Sequence, residues 1–513
     1  MLRPATLTAL AILALACGSL IGLARAGSDF ASLLTLGPYL ARLLASAGLQ
    51  AALSTLLSLL LGTALALALL RRCFPGRELL LALLTTAAVA PTIVIAFGVV
   101  AIYGRSGLLG SLMRGIGAEP PSIYGLHGIV LAHVLMNMPL VTRALLHAFE
   151  REPGERRRLA SALGFTAADC FRHLDWPVIR REAPALAVLV FLLCFTSFAI
   201  VLSLGGGPAN ATLEVAIYEA VRFEADFVRA AALAGLQLVI CLGLAASLSA
   251  LTPRARAEAG AGAGHRAPRP DLRTMRGIDA GVLALGTVLV APPLLSVASG
   301  LAHLPSLASA EFVRAAATSA VIAVTAGLLA CLLALLLASS ARRLPQRSRL
   351  ADLAAFALLG LPPFAFVAGL YVLLRGLGDP ASLGLVLVPL VNALMALPYA
   401  YRLLAPALAT SAERHGRLAE SLGLAGWNRL RLVEWPALRG ALGAAFAFAT
   451  ALSLGDFGVI ALFGGPELTT LPYLLANRLG AYRIDEAGAL ALVLVLSAGG
   501  LAFLTQRWSA RHA

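Results

Sequence analysis

An all-α membrane protein is the fold class this sequence predicts, and three observations predict it. First, 59% of its 513 residues are hydrophobic and only 13% charged, against about 45–50% and about 25% in soluble domains. Second, the charged residues cluster and leave apolar runs of about 20 residues, long enough for a helix to cross the ~30 Å hydrocarbon layer. Third, the net charge of +14 rests wholly on arginine, because the chain contains no lysine. These forty cationic side chains lie in short segments between apolar runs, whereas a nucleic-acid surface gathers them on one face. Helices are the economical way to span lipid, since they satisfy their own backbone amides.

About twelve spans are expected, at 5–24, 50–70, 79–103, 123–147, 185–204, 229–251, 279–299, 315–339, 351–374, 384–401, 441–463 and 487–505. An even number puts both termini on one side. With the N-terminus inside, the cytoplasmic segments hold 29 arginines and the outer segments and span edges ten. That bias predicts cytoplasmic termini. Ala24-Arg25-Ala26 has the form of a signal-peptidase site, yet the apolar stretch before it exceeds the usual ~7–15 residues. The second half also has an equivalent span near Val282 to Ala298. A retained first helix is therefore expected.

The small and proline-broken stretch from Ala257 to Pro270 reads as a linker near the midpoint. The halves around it repeat. Met136-x-x-Pro139-x-x-x-Arg143 recurs as Met395-x-x-Pro398-x-x-x-Arg402, 259 positions on. Arg158-Leu159-Ala160-x-x-Leu163-Gly164 recurs at the same shift as Arg417-Leu418-Ala419-x-x-Leu422-Gly423. Trp176-Pro177 recurs as Trp435-Pro436, and Gly207-Pro208-x-x-x-Thr212-Leu213 as Gly465-Pro466-x-x-x-Thr470-Leu471. The expected organisation is a first six-helix repeat at 1–256, a linker at 257–276 and a second six-helix repeat at 277–513. The two run in the same direction and are related about an axis along the membrane normal.

In each half the segment after the fourth span is long, about 150–184 and 402–440, and patterned. Leu159, Ala160, Leu163 and Gly164 mark one stripe of a short helix. Gly164 marks its end, and Pro177 is expected to stop the segment. The second copy, Arg414 to Pro436, repeats the design.

This spacing resembles the EAA loop of ATP-binding-cassette importer permeases: E-A-A, three residues, G, nine residues, then I-x-L-P. The first copy has Arg158-Leu159-Ala160, Gly164 and Leu174-Asp175-Trp176-Pro177. The second has Arg417-Leu418-Ala419, Gly423 and Val433-Glu434-Trp435-Pro436. Glycine and proline stand at the family spacing, while arginine replaces the glutamate, leucine the first alanine and tryptophan the last leucine. The resemblance implies two fused type I importer repeats. Each loop would present a short coupling helix to a groove of an ATPase subunit, with the glycine permitting close packing. An ATPase dimer would bind at the cytoplasmic loops, and a periplasmic substrate-binding protein at the outer face.

The phosphate-binding loop of such ATPases needs a lysine, so ATP and its magnesium are expected on a separate subunit and no cofactor in this chain. Six cysteines show no ligand-like spacing, and no paired carboxylates or nucleophile triad form a coherent site. No catalytic residue, metal site or enzyme activity is expected.

Leu452-Ser453-Leu454-Gly455-Asp456-Phe457-Gly458, with Leu471-Pro472-Tyr473-Leu474 and Val201-Leu202-Ser203-Leu204-Gly205-Gly206-Gly207-Pro208, is similar to the fused permeases of thiamine importers. The cargo this implies is thiamine or its phosphates. Ferric-iron permeases share some of these features and stand as the alternative; an ion-coupled secondary transporter is the rival from another class. Asp456 is the carboxylate placed well inside an apolar span, hence a candidate for the translocation pathway; a cap for a helix break near Gly455 and Gly458 is the other role open to it. His133, Asn137 and Asn392 are expected as interhelical hydrogen-bond partners. Glu214, Glu219, Glu224, Asp226, Asp485 and Glu486 are expected on outer segments facing the binding protein. The implied setting is a bacterial inner membrane, with lipid as a partner and nucleic acid excluded.

Overall fold

A computed structural model of the chain describes residues 4–26, 37–251, 273–339, 350–352, 354–355, 358, 362–375, 383–424, 426–464 and 468–510. These residues are helical, with no strand among them. Nine described helices are long and apolar enough to cross a membrane, and the shorter apolar helices Thr6–Gly22 and Pro363–Leu374 fall on the first and ninth expected spans. The expected linker lies outside the described residues except at 273–276, as do parts of the span 351–374 and Gly465-Pro466 of the last repeated motif.

Three expected spans are interrupted. The segment 79–103 divides into Arg77–Val89 and Thr92–Tyr103, because Pro91 cannot donate into the preceding turn and holds Ala90 extended. The segment 185–204 divides into Trp176–Phe195 and Ala199–Leu204, and 441–463 into Trp435–Leu454 and Gly458–Phe463. Prolines 139 and 398 sit inside unbroken helices, Leu126–Arg151 and Gly384–Ser421. Membrane helices tolerate this because neighbouring groups satisfy the freed carbonyl.

The helices pack as two compact units, and neither is a contiguous half of the sequence. One unit comprises Met1–Leu40, Leu213–Cys241 and Gly300–Ala513. Its centre is an alanine-lined seam, with Ala326, Ala330, Ala393, Ala396 and Ala449 buried between the helices Ala310–Ala338, Gly384–Ser421 and Trp435–Leu454. In lipid, association rests on close backbone approach and interhelical hydrogen bonds, so small residues line such seams. Helix Pro4–Ala26 lies against Pro363–Arg375, where Ser19 Oγ donates to the Phe366 carbonyl at 2.8 Å. A Cβ on Gly22 would fall 2.7 Å from the Gly369 carbonyl oxygen.

The other unit comprises Ala41–Thr212 and Leu242–Ser299. Helix Arg273–Leu295, the first of the second repeat, packs here against Thr92–Tyr103. A Cβ on Gly98 would fall 2.5 Å from the Pro293 carbonyl oxygen. The contacts of Gly22 with Gly369 and of Pro293 with Gly98 are reciprocal: each repeat lends its first helix to the unit built mainly from the other.

Asp279 anchors that lent helix. Only 4% of its side chain is exposed, and it accepts from Arg71 Nη1 at 3.3 Å and Arg72 Nε at 2.7 Å. Cutting a buried, doubly paired carboxylate removes two ion pairs at once. Asp279→Ala is expected to lower unfolding free energy by about 2 kcal/mol, less than the 3–5 kcal/mol of a fully buried pair because both arginines reach solvent. Thermal unfolding in detergent checks this.

Candidate functional site

The two long segments after the fourth expected span of each half are built alike. In the first, Pro153 ends the helix Leu126–Arg151 and a short helix Gly154–Ala162 follows. In the second, alanine stands at the matching position 412, and the long helix Gly384–Ser421 runs on without a break. The expected separate short helix therefore exists only in the first copy.

Both copies end in the same cap. Phe165 N donates to the Ala160 carbonyl at 3.0 Å and Gly164 N to Ser161 at 3.2 Å; Leu424 N donates to Ala419 at 2.9 Å and Gly423 N to Glu420 at 3.1 Å. The glycines hold φ of +70° and +64°. This pattern closes a helix through a left-handed residue and strongly favours glycine. A Cβ on either glycine would meet nothing within 4 Å, so within this chain backbone conformation, and not close packing, calls for it.

The expected apolar stripe splits. Ala160 and Ala419 are buried, at 4% and 1% exposure, whereas Leu159, Leu163, Leu418 and Leu422 are 60%, 64%, 59% and 64% exposed. Trp176 and Trp435 are also exposed, as is Leu432. Arg158 is exposed, and Arg417 lies in the helix Gly384–Ser421. Each copy thus holds one small residue in the fold and two leucines and a tryptophan outside it.

After the glycine, one helical turn (Ala167–Cys170, Gly426–Arg429) passes into a five-residue π-turn (Phe171–Asp175, Leu430–Glu434) and then into the next helix. Trp176 N reaches back five residues to the Phe171 carbonyl. Pro177 and Pro436 do not stop the segment. They occupy the first turn of Trp176–Phe195 and Trp435–Leu454, where a missing amide costs nothing. The proline ring displaces the carbonyl four residues back, which favours the wider turn before it. Thr166 and Asp169 cap the first copy reciprocally, Asp169 N donating to Thr166 Oγ1 at 3.3 Å and Thr166 N to Asp169 Oδ2 at 3.0 Å. Hydrogen bonds from Thr166 hold the Asp169 carboxyl below its usual range.

Two residues here escaped the sequence reading. Asp175 and Glu434 precede the tryptophan in both copies and are buried, at 2% and 4% exposure. Glu434 Oε1 accepts from Arg429 Nε at 3.1 Å, and Arg429 Nη1 stands 3.8 Å from Glu420 on the capped helix. The available signal was an acid at one register in two otherwise apolar tetrapeptides.

The Asp456 region is a helix break. Oδ1 accepts from the amides of Gly458 at 3.1 Å and Val459 at 3.4 Å, while Oδ2 is buried without a hydrogen bond to a described residue. Ser197 stands at the matching register of the first half, where the helix breaks likewise. The break therefore does not depend on a carboxylate. The interhelical partners act as expected: Ser54 Oγ meets His133 Nδ1 at 3.2 Å, Asn137 Nδ2 donates to Cys194 Sγ at 3.3 Å, and Asn392 Nδ2 to Ser453 Oγ at 2.9 Å. Glu214 departs from expectation. It is 1% exposed and accepts from Gln237 Nε2 at 2.5 Å, because it faces inward from the amphipathic helix Leu213–Arg222. Glu224 and Asp485 are exposed.

No family model matches the chain. The thiamine transport system permease protein of Brucella melitensis is 44% identical over 517 residues, covering 98% of this chain and 94% of that protein. Its counterpart in Escherichia coli is 42% identical over 457 residues, covering 87% and 85%. That of Salmonella typhimurium is 41% identical over 474 residues, covering 90% and 88%. Likeness at this level over nearly the whole length extends through both matched segments and the Asp456 break, and the chain belongs to the family of thiamine transport system permease proteins.

Proposed function

We propose that this chain is the membrane permease of an ATP-binding-cassette importer that carries thiamine inward, released from a periplasmic binding protein and driven by ATPase subunits on other polypeptides. Near full-length identity to named thiamine permeases carries the reading. The matched segments supply the coupling surface: Leu159, Leu163 and Trp176 in one copy and Leu418, Leu422 and Trp435 in the other present solvent-facing apolar groups on capped helix ends. Ala160 and Ala419 seat the segments; Gly164 and Gly423 close them; Pro177 and Pro436 set the following helices; Arg158 and Arg417 flank the contact. The arginine bias supports cytoplasmic termini in a bacterial inner membrane, with ATP and magnesium on the partner. Uptake of labelled thiamine by cells carrying the complete transporter, challenged with unlabelled thiamine or ferric citrate, tests the cargo. Competition by thiamine alone is expected; competition by ferric iron alone would sink the reading.

Thiamine carries a permanent positive charge, and Asp456 supplies a carboxylate that the helix break does not require. Asparagine caps helix starts as well as aspartate does, so Asp456→Asn removes the charge and keeps the cap. Thiamine uptake by this variant is expected to fall about tenfold, equivalent to about 1.4 kcal/mol, at unchanged protein level. Normal uptake would leave Asp456 as a cap only.

A further inference from the structure

The two matched segments share the glycine cap, the π-turn and the helix start after it, but differ where Pro153 breaks the first copy, and features confined to one copy gather at that break. One such feature is a cleft of about 100 Å³ in the first segment, lined by Glu152, Arg156, Arg157, His173, Pro177 and Arg181 with three apolar neighbours. Glu152 is its single carboxylate. Oε2 accepts from Arg156 Nη1 at 2.8 Å and Oε1 from Arg181 Nη1 at 3.3 Å. It thereby holds guanidiniums from two separate helices, Gly154–Ala162 and Trp176–Phe195, at one mouth. Arg181 Nε also donates to Glu182 Oε1 at 3.1 Å, so three arginines stand against two carboxylates and the cleft keeps a net positive charge before His173 is counted.

At the same register, 259 positions on, the second segment has Ser411, His415, Gly416, Leu432 and Gly440. The carboxylate and all three guanidiniums are gone. The second segment still carries Arg414, Arg417, Arg431 and Arg439, so general positive charge is kept while this arrangement is not. A positive-inside requirement explains the former alone.

Guanidiniums present paired N–H donors that match the oxygens of a phosphate group. The cleft has room for several waters, enough for one phosphate group. Basic pockets on the cytoplasmic side of membrane bundles take lipid phosphates, and the arginine bias puts this cleft on that side. We propose that the cleft is a phosphate-binding site particular to the first repeat, filled by the phosphate of an anionic lipid headgroup or of a soluble phosphate compound, which competes with Glu152 for Arg156 and Arg181.

The test uses the full chain in lipid nanodiscs, with two probes. Phosphatidylglycerol retained against phosphatidylcholine is counted by mass spectrometry, and inorganic phosphate binding is measured by calorimetry. The double variant Arg156→Gln/Arg181→Gln is expected to lose about tenfold for one probe, while Arg414→Gln/Arg431→Gln, which removes equal charge from the second segment, leaves it unchanged. Loss confined to the lipid identifies a headgroup; loss confined to inorganic phosphate identifies a soluble ligand. Glu152→Gln is expected to strengthen the same probe by about threefold, a gain that misfolding cannot produce. Absence of binding by either probe, or equal losses in the two double variants, overturns the proposal.

Discussion

Replacing Leu163 and Leu422 together by glutamate is expected to lower ATP-dependent uptake about tenfold or more, while insertion and thermal unfolding stay at the wild-type level. Both side chains are 64% exposed, so within this chain a polar replacement buries no charge and opens no cavity. Surface changes of this kind usually alter stability by no more than about 0.5 kcal/mol. A docked partner reverses the arithmetic. Leucine inserted in a groove contributes roughly 2 kcal/mol by apolar burial, and a glutamate forced into the same place must also be desolvated. Co-purification of the ATPase should fall with uptake. Single variants separate the copies: equal losses indicate two equivalent contacts, and loss in both assays distinguishes docking from a defect in the pathway.

Gly98→Leu is expected to leave little folded protein. The added Cβ would press within 2.5 Å of the Pro293 carbonyl oxygen, and the contact is with backbone, which a rotamer change cannot relieve. Overpacking costs about 1–3 kcal/mol where neighbours can yield, and the site also borders the helix that Asp279 tethers. Gly22→Leu meets the Gly369 carbonyl oxygen in the reciprocal contact and should behave alike. The exchange implies a further consequence. Residues 1–256 or 277–513 expressed alone should be degraded, since each lacks the helix that completes its unit, whereas the two expressed together should restore a folded complex. Protein level by immunoblot reads all of these outcomes.

The register of the two halves was legible because it is written locally, in repeats such as Trp176-Pro177 and Trp435-Pro436. The glycines were legible as markers, though their cause was not: a left-handed φ leaves the same single letter as a tight contact. Proline was misread as a stop because the first turn of a helix accepts it as readily as a terminus does. The helix exchange left no sequence pattern at all, since it joins Gly22 to Gly369 and Gly98 to Pro293 through small residues that recur throughout the chain. Glu214 looked like a loop carboxylate because its helix is short, and only its Gln237 partner reveals that it faces inward. Asp456 stood out correctly as an acid in an apolar span, and the comparison with Ser197 then separated its cap from its charge.

ATP dependence of transport is the most direct test. With the chain reconstituted in vesicles together with its ATPase and binding protein, labelled thiamine should accumulate only when ATP reaches the ATPase. It should continue to accumulate after ionophores collapse proton and sodium gradients. Gradient-driven uptake without ATP, abolished by the same ionophores, would contradict the assignment of this chain as an ATP-coupled permease.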